Sequence, residues 1–173
     1  MAETLASYPE EIRYLILALQ RQGNRKLNNL FAQLDLTTSQ SETIEVIGMY
    51  GPMSTREVGE YLICESGSPS RLLATLAAKG LTVTSRSVTD RRATLHALTP
   101  KGREMVERIK DLKRSFQDEL AASLAEVENR YPEDLLTQLT FLLEDPDLVM
   151  ALKNRYPRLF PGFKPQSWDG VNS

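Results

Sequence analysis

Ser66, Ser68 and Ser70 lie close together ahead of Arg71, with Thr75 one helical turn beyond it. Further along, Arg86 precedes the stretch SVTDRRATLHALTPKG (87–102), which sets Asp90, Arg91 and Arg92 side by side. Hydroxyls and guanidiniums are hydrogen-bond donors, and the guanidinium fork suits phosphate oxygens or the paired acceptors of guanine. Arg71 is therefore a candidate for a bidentate contact to guanine, with the serines and Thr75 as candidates for phosphate or groove contacts. The plainer reading of any one serine is helix capping, and of any one arginine a solvated surface residue.

The surrounding charge favours the sharper reading. Between Gly51 and Arg103 there are eight positive and four negative side chains, a local balance of +4 in a chain of net charge −2, so the flanks together hold −6. A basic island between acidic flanks is a footprint for a polyanion in a molecule that stays soluble. The bland alternative is chance clustering.

Other reactive side chains are few. Cys64 is the one cysteine and His96 the one histidine. Cys64 reads either as a small buried hydrophobe between two short helices or as a redox switch, through sulfenic acid, a mixed disulfide or an intersubunit bond. A metal site needs several nitrogen, sulfur or carboxylate ligands. None is expected, and no cofactor; His96 is expected to face solvent or the neighbours of its strand. No nucleophile stands beside a base, Ser-x-x-Lys and phosphate-loop motifs are absent, and the acidic pairs fall on solvated helix faces, so no enzyme is expected.

At 173 residues, with 41% apolar and 25% charged side chains, the chain suits one globular domain with extensions. No apolar run is long enough for a membrane helix, and MAETLASYPEE lacks the layout of a signal peptide. With a single cysteine excluding an internal disulfide, a cytoplasmic protein is expected, without membrane contact.

The elements that must position these residues follow from periodicity and caps. Ile12, Leu15, Ile16, Leu19, Leu27, Leu30, Phe31 and Leu34 predict a long helix from Pro9 to Leu34. Thr37 with Gln40, and Ser54 with Glu57, are capping-box pairs that open two short helices, the first ending at Gly51-Pro52. A third short helix follows Ser68-Pro69, with Leu72, Leu73, Leu76 and Ala77 inward and Gly80 as its stop. LTVTSRSV and ATLHAL predict a two-stranded hairpin with Asp90, Arg91 and Arg92 at its tip. Thr99-Pro100 starts a second long helix through Met105, Ile109, Leu112, Phe116, Leu120, Leu124 and Val127. A further helix begins near Tyr131-Pro132, is interrupted at Asp145-Pro146, and gives way after Tyr156 to an extended tail.

This order predicts a mainly α fold with a small β-hairpin wing: a winged helix-turn-helix with long terminal dimerisation helices. The expected divisions are an N-terminal dimerisation helix at 1–35, a winged helix-turn-helix at 36–103, C-terminal dimerisation helices at 104–156 and a tail at 157–173. Apolar stripes on the long helices exceed what one chain can bury, so a homodimer is expected.

Four short stretches, in order and in register, resemble the multiple antibiotic resistance regulators (MarR): Leu36-Thr37-Thr38-Ser39-Gln40, Gly51-Pro52-Met53-Ser54, Ala78-Lys79-Gly80-Leu81, and Asp90-Arg91-Arg92 followed by Leu98-Thr99-Pro100-Lys101-Gly102. The resemblance covers roughly 30–110. The chain departs from the family pattern at Ile63-Cys64, at Ser66-Gly67-Ser68-Pro69 and beyond Tyr156. The resemblance implies a homodimeric regulator, here read as a repressor of a pseudo-palindromic double-stranded DNA operator, released by a small-molecule or oxidant signal. It implies that Arg91 enters the minor groove while Asp90 and Arg92 brace the tip, with Arg86 on the same wing. It also implies a site for a small aromatic effector between the DNA-binding lobe and the dimer helices. Tyr14, Phe31, Tyr50, Tyr61 and Phe116 are the side chains that could line it, although aromatics at helical spacing read more plainly as core. The competing function is a winged-helix protein-interaction module without sequence-specific DNA binding.

Overall fold

The computed structural model describes residues 9–64, 68–87, 93–125, 139–140 and 143–160. Helix α1 (Pro9–Ala32) turns at Asp35 into α2 (Thr38–Tyr50), followed by a short strand β1 (Met53–Ser54), α3 (Thr55–Gly59) and α4 (Pro69–Ala78). Strands β2 (Thr82–Arg86) and β3 (Thr94–Leu98) lead to the long helix α5 (Pro100–Ala125), and α6 (Pro146–Arg155) ends in a 3-10 turn at Pro157–Leu159. Among the described residues no helix is long and apolar enough to cross a membrane.

Local chemistry sets the helix starts. At α2 the Thr37 hydroxyl accepts from the Gln40 amide at 3.2 Å while the Gln40 side chain accepts from the Thr37 amide at 3.4 Å. The same reciprocal pair forms at α3, where Ser54 accepts from the Glu57 amide at 3.3 Å and Glu57 accepts from Ser54 at 2.6 Å. Each box satisfies two donors that a helix end leaves free. Gly80 follows α4 with φ +70, a conformation glycine adopts without strain.

Among the described residues the sheet has three strands, one more than the hairpin that periodicity predicted. It is antiparallel in the order β1-β3-β2, with Met53 opposite His96, Ser54 opposite Leu95, and five pairs from Thr82–Leu98 to Arg86–Thr94. A two-residue strand has too few positions to show alternation, so periodicity missed it, whereas the family resemblance includes a short strand after Gly51-Pro52. This third strand also decides between the two expectations for His96, which faces the wing's neighbours and not solvent. Its ring is buried against α3, with Nε2 3.0 Å from the Thr55 hydroxyl, while Nδ1 is buried with no hydrogen-bond partner. Desolvation lowers the His96 pKa below its ordinary value, because burial disfavours the charged ring.

The core is built from Ile44, Met53, Val58, Leu73, Leu76, Leu81 and Ile109. On α4 the buried positions are Leu72, Leu73 and Leu76; Ala77, expected inward, is exposed. The long helices meet this core only in part. Leu27, Leu30 and Phe31 of α1 and Met105, Val106, Ile109 and Leu112 of α5 pack on it. Tyr14, Ile16, Leu17, Leu19 and Leu120 remain exposed on the same helices.

Candidate nucleic-acid interface

With Leu72, Leu73 and Leu76 held in the core, the opposite side of α4 presents Ser70, Arg71, Ala74, Thr75 and Ala78 to solvent. Arg71, Ala74, Thr75 and Ala78 are spaced by three and four residues and so share one face. Two alanines on that face leave room for close approach to a base edge, and a methyl group suits a thymine methyl. The Arg71 guanidinium is exposed and has no partner among the described residues. The Thr75 hydroxyl donates to the Arg71 carbonyl at 3.0 Å, within the helix itself. Ser68 is the N-cap residue by position, yet its side chain makes no capping hydrogen bond. The exposed hydroxyls of Ser68 and Ser70 thus stand at the positive end of the helix dipole, where anions are favoured. Ser66 lies outside the described residues.

The tip of the hairpin, including Asp90, Arg91 and Arg92, also lies outside the described residues. The strands that carry it are regular to its base. Ser87 donates its amide to the Ala93 carbonyl at 3.0 Å, and Arg86 is exposed at the end of β2.

Folding divides the basic island into two groups. Lys79 donates to the Asp35 carboxylate at 2.9 Å and to the Asp35 carbonyl, tying the end of α4 to the α1–α2 turn. Asp35 adopts φ 54, a left-handed conformation that Asp tolerates better than most residues. Lys101 donates to the Lys79 carbonyl at 2.9 Å, and Arg103 to the Leu98 carbonyl at 2.9 Å. Arg56 pairs with Glu60 at 3.2 Å on the surface. These four cations are engaged within the protein, whereas Arg71 and Arg86 are exposed and have no side-chain partner among the described residues.

Sequence reasoning missed Glu42. The residue is buried, and its carboxylate accepts from the Ile63 amide at 3.0 and 3.1 Å, from the Cys64 amide at 2.8 Å, and from the Arg155 guanidinium. No local sequence signal marked it; only the fold shows α2 buried at Ser41, Glu42, Thr43, Ile44, Val46 and Ile47, nearly all round. A carboxylate on such a helix must find donors.

Cys64 is exposed, which corrects the reading of it as a buried hydrophobe. Its peptide is what the fold holds, since the Ser39 hydroxyl donates to the Cys64 carbonyl at 2.9 Å. Partial desolvation, then the neighbouring Glu42 carboxylate, push the thiol up to about 11. At neutral pH the nucleophilic thiolate is therefore scarce, which weakens the redox reading.

The five aromatics are not alike. Phe31 and Tyr61 are core residues, whereas Tyr14 faces solvent on α1 and Phe116 is half-buried on α5. Tyr50 is half-buried and stacks on Tyr61 with centroids 4.5 Å apart at 35°. Desolvation, with Tyr61 beside it, raises the Tyr50 phenol pKa.

Comparison with known proteins places this geometry. The winged helix DNA-binding domain family matches residues 36–102. An uncharacterized HTH-type transcriptional regulator of Bacillus subtilis is 28% identical over 136 residues, 78% of this chain and 82% of its own length. The S. aureus MepR–DNA complex has the same fold at a TM-score of 0.66 and 19% identity, over 82% of this chain and 97% of that one. A MarR transcriptional regulator of Methanosarcina mazei Go1 matches with a TM-score of 0.61 and 20% identity, over 77% of this chain and 94% of its own. A capped helix-turn-helix, a three-stranded wing and an exposed Arg71 face, joined to these likenesses, give one conclusion: residues 36–102 belong to the winged helix DNA-binding domain family, in a chain that shares the fold of a MarR transcriptional regulator.

Proposed function

We propose that the protein is a homodimeric repressor that binds a pseudo-palindromic operator in double-stranded DNA and is released by a small-molecule signal. The observation that carries this reading is the Arg71 face of α4, an exposed guanidinium with no partner among the described residues, set among small side chains on a helix whose other side is locked in the core. In this reading α4 is the recognition helix in the major groove. Ser66, Ser68 and Ser70 reach phosphates, Arg71 and Thr75 face the bases, and Arg86, Arg91 and Arg92 belong to the wing. Arg91 enters an adjacent minor groove, while Asp90 pairs with Arg92 to shape the tip. The S. aureus MepR–DNA complex, a protein of the same fold on DNA, supports this arrangement.

The exposed apolar residues Ile16, Leu17, Leu19 and Leu120 support pairing of two chains through α1 and α5. The segments 1–35 and 104–156 then serve dimerisation and 36–103 reads DNA, with half-sites about one helical turn apart. The raised Cys64 pKa leaves little thiolate at neutral pH for an oxidant to act on. Tyr50, half-buried beside Tyr61, is the aromatic best placed to meet a small aromatic effector. No catalysis is proposed, and the compartment is the cytoplasm.

A gel shift with the DNA upstream of the protein's own gene, run beside light scattering of the free protein, tests the reading. The expected result is a dimer forming one discrete, salt-sensitive complex. A monomer, or a protein that binds that DNA no better than a scrambled duplex, overturns it.

A further inference from the structure

The C-terminal helix α6 lies far beyond residues 36–102, yet it bonds to the turn that leads into the recognition helix. It is a well-founded helix. Asp145 caps it by accepting from the amides of Asp147 at 2.9 Å and Leu148 at 3.2 Å, Pro146 fills the first position, and Ala151 is 1% exposed. Its last turn makes one contact with the end of α3 and one with α2. The Asn154 amide group donates to the Glu60 carbonyl at 3.2 Å, and the Arg155 guanidinium donates to the Glu42 carboxylate. Both partners of that ion pair are shielded, with side-chain exposures of 17% for Arg155 and 6% for Glu42.

Glu42 is the hinge of this arrangement. One of its oxygens receives Arg155 and the Ile63 amide, and the other receives the Ile63 and Cys64 amides. Those amides belong to the turn after α3, and Cys64 is five residues ahead of Pro69, the first residue of α4. A buried carboxylate without its cation is strongly disfavoured, so removing Arg155 leaves Glu42 to seek water or take a proton. Either response weakens its hold on the turn. We propose that Glu42 and Arg155 are positioning residues through which α6 sets the recognition helix for DNA binding. Displacement of the C-terminal segment would then lower affinity without any loss of a DNA contact; the proposal rests on the DNA-binding reading above.

The test uses full-length Arg155→Ala and Arg155→Lys beside the wild type, with a duplex selected from a random pool by the wild-type protein. Hydrogen exchange is followed at the amides of Ile63, Cys64 and, as a core reference, Leu76. In Arg155→Ala the Ile63 and Cys64 amides are expected to exchange about tenfold faster with Leu76 unchanged, as for a local opening. Affinity for the duplex is expected to fall about three- to tenfold, with the salt slope unchanged because no phosphate contact is removed. Arg155→Lys restores part of both effects. Unchanged exchange at the turn overturns the clamp, and so does faster exchange at all three amides, which would mean general destabilisation. Faster exchange at the turn with unchanged affinity overturns the link to DNA. A wild-type protein that selects no duplex removes the DNA-binding reading and the link with it, while the exchange pattern still decides whether the clamp exists.

Discussion

Replacing Arg71 by alanine separates the roles that an exposed arginine on a recognition helix can play. In the free protein the guanidinium is exposed and has no partner among the described residues, so its removal breaks no contact among them. Surface substitutions of this kind change stability by no more than about 0.5 kcal/mol, and the melting temperature should stay near that of the wild type. On DNA the expectation depends on what Arg71 meets. A bidentate contact to guanine contributes about 1–3 kcal/mol of discrimination, roughly a 5- to 150-fold loss of affinity for the matched site. A phosphate contact instead weakens binding to all sequences alike and reduces the salt slope by about one charge. Fluorescence anisotropy with a selected duplex and with the same duplex altered at one guanine, each at several salt concentrations, distinguishes these outcomes. The expected result is a large loss on the selected duplex, a small one on the altered duplex, and a slope little changed. Lysine at this position keeps the charge but not the fork, so Arg71→Lys should restore little of the discrimination. Equal losses on the two duplexes would refute base reading by Arg71, and unchanged affinity on both would refute any role for it on DNA.

Three further outcomes follow from the geometry. A Cβ added at Gly102 would lie 2.1 Å from the Leu81 carbonyl oxygen, which also accepts from the Thr99 amide at 3.1 Å. Gly102→Ala should therefore cost about 2–4 kcal/mol through overpacking and a strained hydrogen bond, read as a lower urea midpoint; a midpoint within error of wild type contradicts the close approach. Because burial lowers the His96 pKa below 6.5, the unfolded chain binds the proton more readily than the folded one. The stability due to neutral His96 is complete above that value and declines as pH falls through it toward the lower folded value. Urea melts from pH 7.5 to 5 should show a steeper loss for wild type than for His96→Gln, and parallel losses would argue against a buried neutral ring. Alkylation of Cys64 by iodoacetamide should be slow at pH 7.5 and accelerate as pH approaches about 11; rapid labelling that levels off near neutrality would restore the redox reading.

Short-range chemistry made much of this molecule legible. The Thr37–Gln40 and Ser54–Glu57 boxes join residues three apart, and Gly80 ends α4 through its own backbone preference. The leucines of α4 sit on one side by helical period, which leaves Arg71 on the other. Interactions spanning three or four residues are written in local sequence, so the helix-turn-helix and its exposed arginine could be read there. Tertiary structure alone decided the rest. Strand β1 is a strand because β3 lies beside it, and that pairing buries His96. Lys79 is 44 residues from Asp35, and Arg155 is 113 residues from Glu42. A charge count treats Lys79 and Arg71 as equals; only the folded chain shows that Lys79 is tied to Asp35 while Arg71 is exposed with no partner among the described residues. The physical reason is that a side chain's availability depends on which distant groups reach it, and chain folding sets those distances.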